Sequence, residues 1–319
     1  MGYYAITAGE QVNMYTMRFS LLALIFSVGV LAFSPLQAAE SVTVHELDNG
    51  MRVLVKEDHR APVAISMVWY NVGSGHEYGG ITGISHVLEH MMFKGTAKYP
   101  AGKFSSIIAE NGGQENAFTS YDFTAYYQFL ASDRLETALK LESDRMRNLT
   151  LPEDEFLKEV EVVKEERRLR TEDNPTALTD EQFRAAAWVN SPYHNPVIGW
   201  MADLDALTID DLKDWYRQWY APNNALLVVV GDVNSKEVIR LAEKYFGRHK
   251  PEKISQVKPQ LESEQKGERR IVVKAPAELP YMTMGYKVPV VNHADEDWEP
   301  YALEVLASLL TGGETSLLQ

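Results

Sequence analysis

The sequence predicts a chain of mixed helices and strands, and three observations carry that prediction. Val42-Thr43-Val44-His45-Glu46-Leu47 and Met51-Arg52-Val53-Leu54-Val55 flank Asp48-Asn49-Gly50, the pattern of a β-hairpin. Residues 225–230 are all apolar and stop at Gly231-Asp232, as a buried strand does. Between these strands the apolar residues recur at helical spacing, near 82–94, 102–111, 132–147, 153–172, 175–189 and 208–219.

The remaining elements follow in order. Residues 63–72 are almost wholly apolar and predict a third strand, in the interior of a sheet. A glycine-rich loop occupies 73–83, and two strands are expected near 114–119 and 122–130. Ser235 is placed to cap a helix running to about Phe246. Residues 248–268 are rich in Lys, Glu, Gln and Pro and read as a linker. A strand at 270–273 and a helix at 298–310 then begin a second unit, over residues 269–319. Fifty residues rarely fold alone, so the chain is expected to be truncated relative to a complete two-domain protein.

Hydrophobic residues make up 45% and charged residues 24% of the 319, as in a globular protein. A formal charge of −14 argues against a nucleic-acid partner and against an anionic membrane surface. With no cysteine, disulfides, thiolate ligands and a cysteine nucleophile are excluded. From Met17 the chain shows one basic residue, Arg18, then an apolar run over 21–33, then small residues at Ala38-Ala39. Such a run spans about 20 Å as a helix, short of the roughly 30 Å of a hydrocarbon core. Residues 17–39 are therefore expected to be a cleaved secretory signal peptide, not a stable membrane anchor, which gives a periplasmic or secreted location. Residues 1–16 lack Lys and Arg and carry Glu10, so Met17 is expected to be the true start and 1–16 a start-site artefact.

Chemistry concentrates at Ile84-Ser85-His86-Val87-Leu88-Glu89-His90-Met91-Met92-Phe93. Histidines at i and i+4 share one helix face and can share a metal ion. His86, Glu89, His90 and Phe93 fall within an arc of about 100°, and apolar residues fill the rest, so the helix has no solvated face. Two imidazoles and a carboxylate on a buried helix cost several kcal/mol of desolvation unless partnered, and a metal with its water would supply partners. Without one, the two histidines would be core residues bonded to backbone. H-x-x-E-H reverses the commoner zinc motif and is used by inverted zincins.

A catalytic zinc takes three protein ligands and keeps one position open. On a helical projection of 155–169, the apolar residues Phe156, Val160, Val162, Val163 and Leu169 define an arc of about 180°. Glu159 and Glu166 fall inside that arc, whereas Glu161 and Glu165 lie on the polar side, as on an ordinary solvated helix. Glu166 is the expected third ligand, with Glu165 as the alternative. Glu159 is expected to orient a histidine or the water.

These stretches resemble the pitrilysin, or insulinase (M16), family of zinc peptidases, closest to the branch of the mitochondrial processing peptidase and its bacterial periplasmic relatives. The likeness is carried by the Gly-rich lead into 84–96, by Asn116-Ala117-Phe118-Thr119-Ser120-Tyr121-Asp122, and by the helix bearing Glu159 and Glu166. Trp219-Tyr220-Ala221-Pro222-Asn223-Asn224 and Val228-Val229-Val230-Gly231-Asp232-Val233 follow in the family's order. The resemblance implies an α+β fold of two similar halves, each an antiparallel-rich sheet backed by helices, with a catalytic half over 40–247. It implies one Zn2+ per chain on His86, His90 and Glu166, and Glu89 as general base of a metalloendopeptidase acting on peptides or unfolded polypeptides. Asn116 and Ala117, which the residues alone read as a turn-to-strand boundary, map onto an edge strand that pairs with substrate backbone. In the family an Arg and a Tyr of the other half stabilise the oxyanion. Their positions lie past Gln319, so they are expected either from residues missing here or from a partner subunit, in a homodimer or a heterodimer with a second M16-type chain. The competing reading is a non-catalytic subunit that supports an active protease.

Overall fold

The computed structural model describes residues 42–254, 257–291 and 296–311. The expected signal peptide at 17–39 and start-site artefact at 1–16 lie outside the described residues. One six-stranded sheet organises the chain, in the order β1-β2-β6-β3-β5-β4. Its strands are β1 (Thr43–Glu46), β2 (Arg52–Glu57), β3 (Val63–Tyr70), β4 (Gln114–Thr119), β5 (Thr124–Ala131) and β6 (Ala225–Gly231). Only β2 and β6 run parallel; the other four pairs are antiparallel.

The hairpin forms as expected, its loop closed by the Gly50 N–H donating to Leu47 O at 2.8 Å. Gly50 is there because the turn demands φ +83°. Asn49 ties the loop to the far end of the domain, its amide donating to Phe246 O and His249 O. The apolar runs β3 and β6 are interior strands, paired from Ala64↔Gly231 to Tyr70↔Ala225. Among the described residues β4 pairs only with β5, in the register Asn116↔Tyr127 and Ala117↔Tyr126, and so forms an edge.

Helices α1 (Ile84–Met91), α2 (Lys103–Glu110), α3 (Leu135–Asn148), α4 (Glu153–Arg167) and α5 (Pro175–Ala187) follow the predicted pattern. So do α7 (Ile209–Trp219) and α8 (Ser235–Tyr245), whereas the short α6 (Met201–Ala206) has no strong periodicity and was not expected. The core lies between sheet and helices. Val53, Val68, Tyr70, Tyr126 and Leu227 of the sheet meet Val87, Leu88 and Met91 of α1 and Leu212 of α7, all fully buried. Each such side chain contributes about 1.5–3 kcal/mol. α1 therefore sits between the sheet and the outer helices, and only its histidine face is open.

Two expectations change. The helix predicted over 153–172 ends at Arg167 and widens into a π-turn, Arg168–Glu172, before Asn174 caps α5 by accepting from the Thr176 and Ala177 N–H groups. The predicted strand at 270–273 does not form: Val272 is 81% exposed, and a strand needs a ladder partner that β-propensity alone cannot provide. Residues 257–291 contain no helix or strand, and α9 (Glu299–Thr311) forms where the last helix is predicted. Among the described residues no helix is long and apolar enough to cross a membrane.

Candidate metal centre

The start of α1 is built from backbone packing. Gly83 has φ +88°, and a Cβ there would lie 2.7 Å from Ile198 O; Gly199 has φ +86°, and its Cβ would lie 2.5 Å from Thr82 O. Two glycines thus let residues 198–199 pass directly over the helix start. No side chain at Gly83 can cap α1. Glu77 does so from a distance, its carboxylate accepting from the Gly83 N–H at 2.7 Å and the Ser85 N–H at 2.9 Å. Burial pushes the Glu77 carboxyl up to about 7, against the downward pull of those two donors.

From this anchored start, His86 and His90 project from successive turns, their rings 4.8 Å apart. His86 Nε2 lies 3.8 Å from Glu166 Oε1, and His90 Nε2 lies 3.5 Å from Glu166 Oε2. Ligand atoms on a tetrahedral zinc at about 2.0–2.1 Å are roughly 3.3–3.4 Å apart, so the three groups are spaced to hold one ion with little adjustment. Their donor atoms all lie within 4.8 Å of one another. Burial lowers His86 to about 3, the neighbouring His90 and Arg170 adding to the effect, so its imidazole is neutral, as a ligand must be. For His90 the tautomer follows from its other nitrogen. Nδ1 lies 3.1 Å from Glu159 Oε2, and a carboxylate oxygen accepts, so Nδ1 is the donor there and Nε2, turned toward Glu166, is the nitrogen placed to ligate a metal. Lys94 Nζ, 2.5 Å from Glu159 Oε1, holds that carboxylate in place.

The helical projection of α4 is corrected in part. Val162 and Leu169 are exposed, whereas Phe156, Val160 and Val163 are buried. The buried side of α4 also carries Lys164 and Arg167, which hydropathy alone assigns to solvent. Lys164 bonds Asp205 and Glu161, and Arg167 forms a bidentate pair with Glu181 of α5 at 2.7 and 2.9 Å. Glu165 turns outward to Arg168 at 2.9 Å, which leaves Glu166 at the centre.

Glu89 is 9% exposed and lies between the histidines in sequence. Burial raises its carboxyl above the usual range, and a hydrogen bond from Thr119 Oγ1 at 2.6 Å opposes the rise. Asn116 and Ala117 lie on β4, and with His86, Glu89, His90 and Glu166 they line one cleft of about 810 Å³.

Sequence reasoning missed four contributors to this cleft. Arg170, at i+4 from Glu166, bonds its Oε1 at 2.6 Å, a spacing that helix geometry could have flagged. Thr119 follows Ala117 by two residues and so shares its face of β4, an alternation that was readable but not used. The wall formed by His194 and Asn195 carried no such signal. It is held by long-range contacts such as Tyr193 Oη donating to Asp122 at 2.6 Å, and by Trp200 Nε1 donating to Asn195 Oδ1 at 2.9 Å.

The profile of the family "Insulinase (Peptidase family M16)" matches residues 52–200, and that of "Peptidase M16 inactive domain" matches 206–319. The chain is 40% identical over 304 residues to the zinc protease PqqE of Helicobacter pylori, covering 94% of this chain and 67% of that one. To the zinc protease YmxG of Bacillus subtilis it is 31% identical over 272 residues, 85% of this chain and 64% of the relative. A solved protease from Helicobacter pylori superposes with a TM-score of 0.80 at 37% identity, over 88% of this chain and 67% of that one. The first half of the periplasmic protease PqqL from Escherichia coli superposes at 0.66 with 27% identity, over 71% of this chain and 50% of its own. The chain thus spans about two thirds of the length of these two zinc proteases and of the solved Helicobacter pylori protease, and its α+β sheet-and-helix architecture is that of a peptidase half. By both profiles and by these identities, the chain belongs to the insulinase family, M16, of peptidases.

Proposed function

We propose that this chain carries the metal-binding half of a zinc-dependent metalloendopeptidase that hydrolyses peptides or unfolded polypeptides. In this reading His86, His90 and Glu166 hold the zinc ion and Glu89 is the general base. The observation that carries the reading is the convergence of two imidazoles and one carboxylate, within 4.8 Å, beside a second carboxylate at 9% exposure. The zinc proteases among its relatives support the choice of ion.

When bound, zinc supplies Lewis acidity toward water and the scissile carbonyl. Glu89 takes a proton from the attacking water and returns it to the leaving amine. Burial, which raises the affinity of the Glu89 carboxylate for a proton, suits it to that task. Glu159 holds the His90 ring and its tautomer. The open edge of β4 at Asn116 and Ala117 offers backbone donors and acceptors, so an extended peptide docks there as an added strand, with little demand on its side chains.

The PqqL neighbour is a periplasmic protease, which favours reading 17–39 as an export signal and the periplasm as the location. The groups that stabilise the carbonyl oxyanion are proposed to come from the second half of the peptidase, carried either on the same polypeptide or on a partner in a homodimer or a heterodimer of the family. Zinc stoichiometry and hydrolysis of an unfolded polypeptide test the proposal together. One zinc per chain is expected, and Glu89→Gln is expected to keep that zinc while losing about 10²–10⁴-fold in rate. Unchanged cleavage by Glu89→Gln would remove the assigned base, and stoichiometric zinc without hydrolysis would favour the non-catalytic subunit.

A further inference from the structure

Thr119 is the last residue of β4, and its hydroxyl donates to Glu89 Oε2 at 2.6 Å. Among the described residues no other side chain is seen to hydrogen-bond this carboxylate. A glutamate has three side-chain torsions, the last of them nearly free, so a single donor decides where its oxygens point. The donor itself is stiff. Thr119 is β-branched, which restricts χ1, and it stands in a strand whose register with β5 is fixed by Thr119↔Thr124 and Ala117↔Tyr126. Those pairings put Thr119 and Ala117 on one face of β4, the face turned to α1, while Asn116 and Phe118 take the other.

The contact therefore joins two elements with separate tasks in the proposed reaction. β4 offers the edge on which a peptide would lie, and α1 carries the base and both histidines. We propose that Thr119 is a positioning residue that engages Glu89 Oε2, leaves Oε1 uncommitted toward the attacking water, and ties the orientation of the base to the strand that receives substrate. The proton released when the water O–H bond breaks goes to Oε1. The threonine hydroxyl keeps donating to Oε2 throughout, and the proton leaves from Oε1 to the amine nitrogen. The chemistry balances without any proton passing through Thr119. This inference rests on the peptidase reading above, and its test separates the two.

Thr119→Val keeps the shape and the branched Cβ but removes the donor; Thr119→Ser keeps the donor and loosens it. In the zinc-loaded, full-length protein, Thr119→Val is expected to lower kcat about 10- to 100-fold with KM within about threefold, zinc content unchanged. Thr119→Ser is expected to return kcat to within about fivefold of wild type. A peptidyl hydroxamate, which meets both metal and base, supplies a readout without turnover. Its affinity should fall about tenfold in Thr119→Val, and less than twofold when the same change is made in a Glu89→Ala background. If the valine variant does not fold, Thr119→Ala is read against serine in the same way. A donor-less variant with wild-type kcat and hydroxamate affinity overturns the proposal, as does an equal effect in both backgrounds, while the peptidase reading stands. A wild-type protein that holds zinc yet neither cleaves peptides nor binds the hydroxamate overturns both.

Discussion

Replacing Glu159 by alanine isolates what an indirect partner contributes to the metal centre. The carboxylate touches no ligand position; it accepts from His90 Nδ1 at 3.1 Å and is 9% exposed. Without it the His90 ring loses both its tautomer lock and its rotational restraint, and Nε2 becomes a weaker donor. Losses of this kind cost about 10- to 100-fold in metal affinity, or about 1.4–2.7 kcal/mol. The fold should tolerate the change. Lys94, the other partner of Glu159, keeps Glu155 at 3.6 Å and is a quarter exposed, so no buried charge is stranded. Zinc affinity measured by competition with a chelator at pH 7.5 is the assay, with urea unfolding of the metal-free protein as control. Glu159→Gln should fall between alanine and wild type, because its amide oxygen still accepts from Nδ1 without the negative charge. Zinc affinity within twofold of wild type in Glu159→Ala would refute the reasoning, since His90 would then be oriented by something else.

Two further outcomes follow from the start of α1. Glu77 has a carboxyl raised from 4.5 to about 7 by burial, so below pH 4.5 it is protonated folded or unfolded and costs nothing. As pH rises toward 7 the unfolded chain releases its proton first, and stability falls by about 3 kcal/mol. Metal-free wild type should therefore lose about that much relative to Glu77→Gln between pH 4.5 and 7.5, read as the change in their stability difference in urea; a constant difference would contradict the assigned burial. Gly199→Ala should destabilise by about 2–4 kcal/mol, from the strained φ of +86° and a Cβ 2.5 Å from Thr82 O, and thermal unfolding within 1 °C of wild type would show that the crossing relaxes freely.

Much of the site was legible because helix periodicity turns sequence spacing into geometry. His86 and His90 at i,i+4, and Glu159 and Glu166 at i,i+7, needed no tertiary information to be placed on faces. The interior strands β3 and β6 were legible for a similar reason, since apolar runs require burial on both sides. Residues 270–273 show the limit of such reasoning: they have strand-forming side chains, but pairing depends on another segment. Val162 and Leu169 show it again, since periodicity assigns a face and cannot tell how far a neighbour covers it. The face of Thr119 was readable from strand alternation, but its partner was not. Its contact with Glu89 joins residues thirty positions apart and depends on the placement of β4 against α1, which no local pattern encodes.

The two carboxylates of α4 also explain why the site needs that particular spacing. Seven residues are nearly two full turns, so Glu159 and Glu166 lie on one stripe about 10 Å apart along the axis. An imidazole lying across that stripe can meet one carboxylate with each nitrogen. His90 does this, with Nδ1 at 3.1 Å from Glu159 and Nε2 at 3.5 Å from Glu166. Moving either glutamate by one residue rotates it about 100° off the stripe, which is where Glu165 is found, bonded to Arg168. The spacing on α4 is thus matched to the length of one histidine ring, and the i,i+4 spacing on α1 brings the second ring to the same carboxylate. Glu166→Ala, which leaves Glu165 intact, should not regain zinc through Glu165; recovery of stoichiometric zinc would mean that α4 can turn, and that the stripe does not fix the ligand.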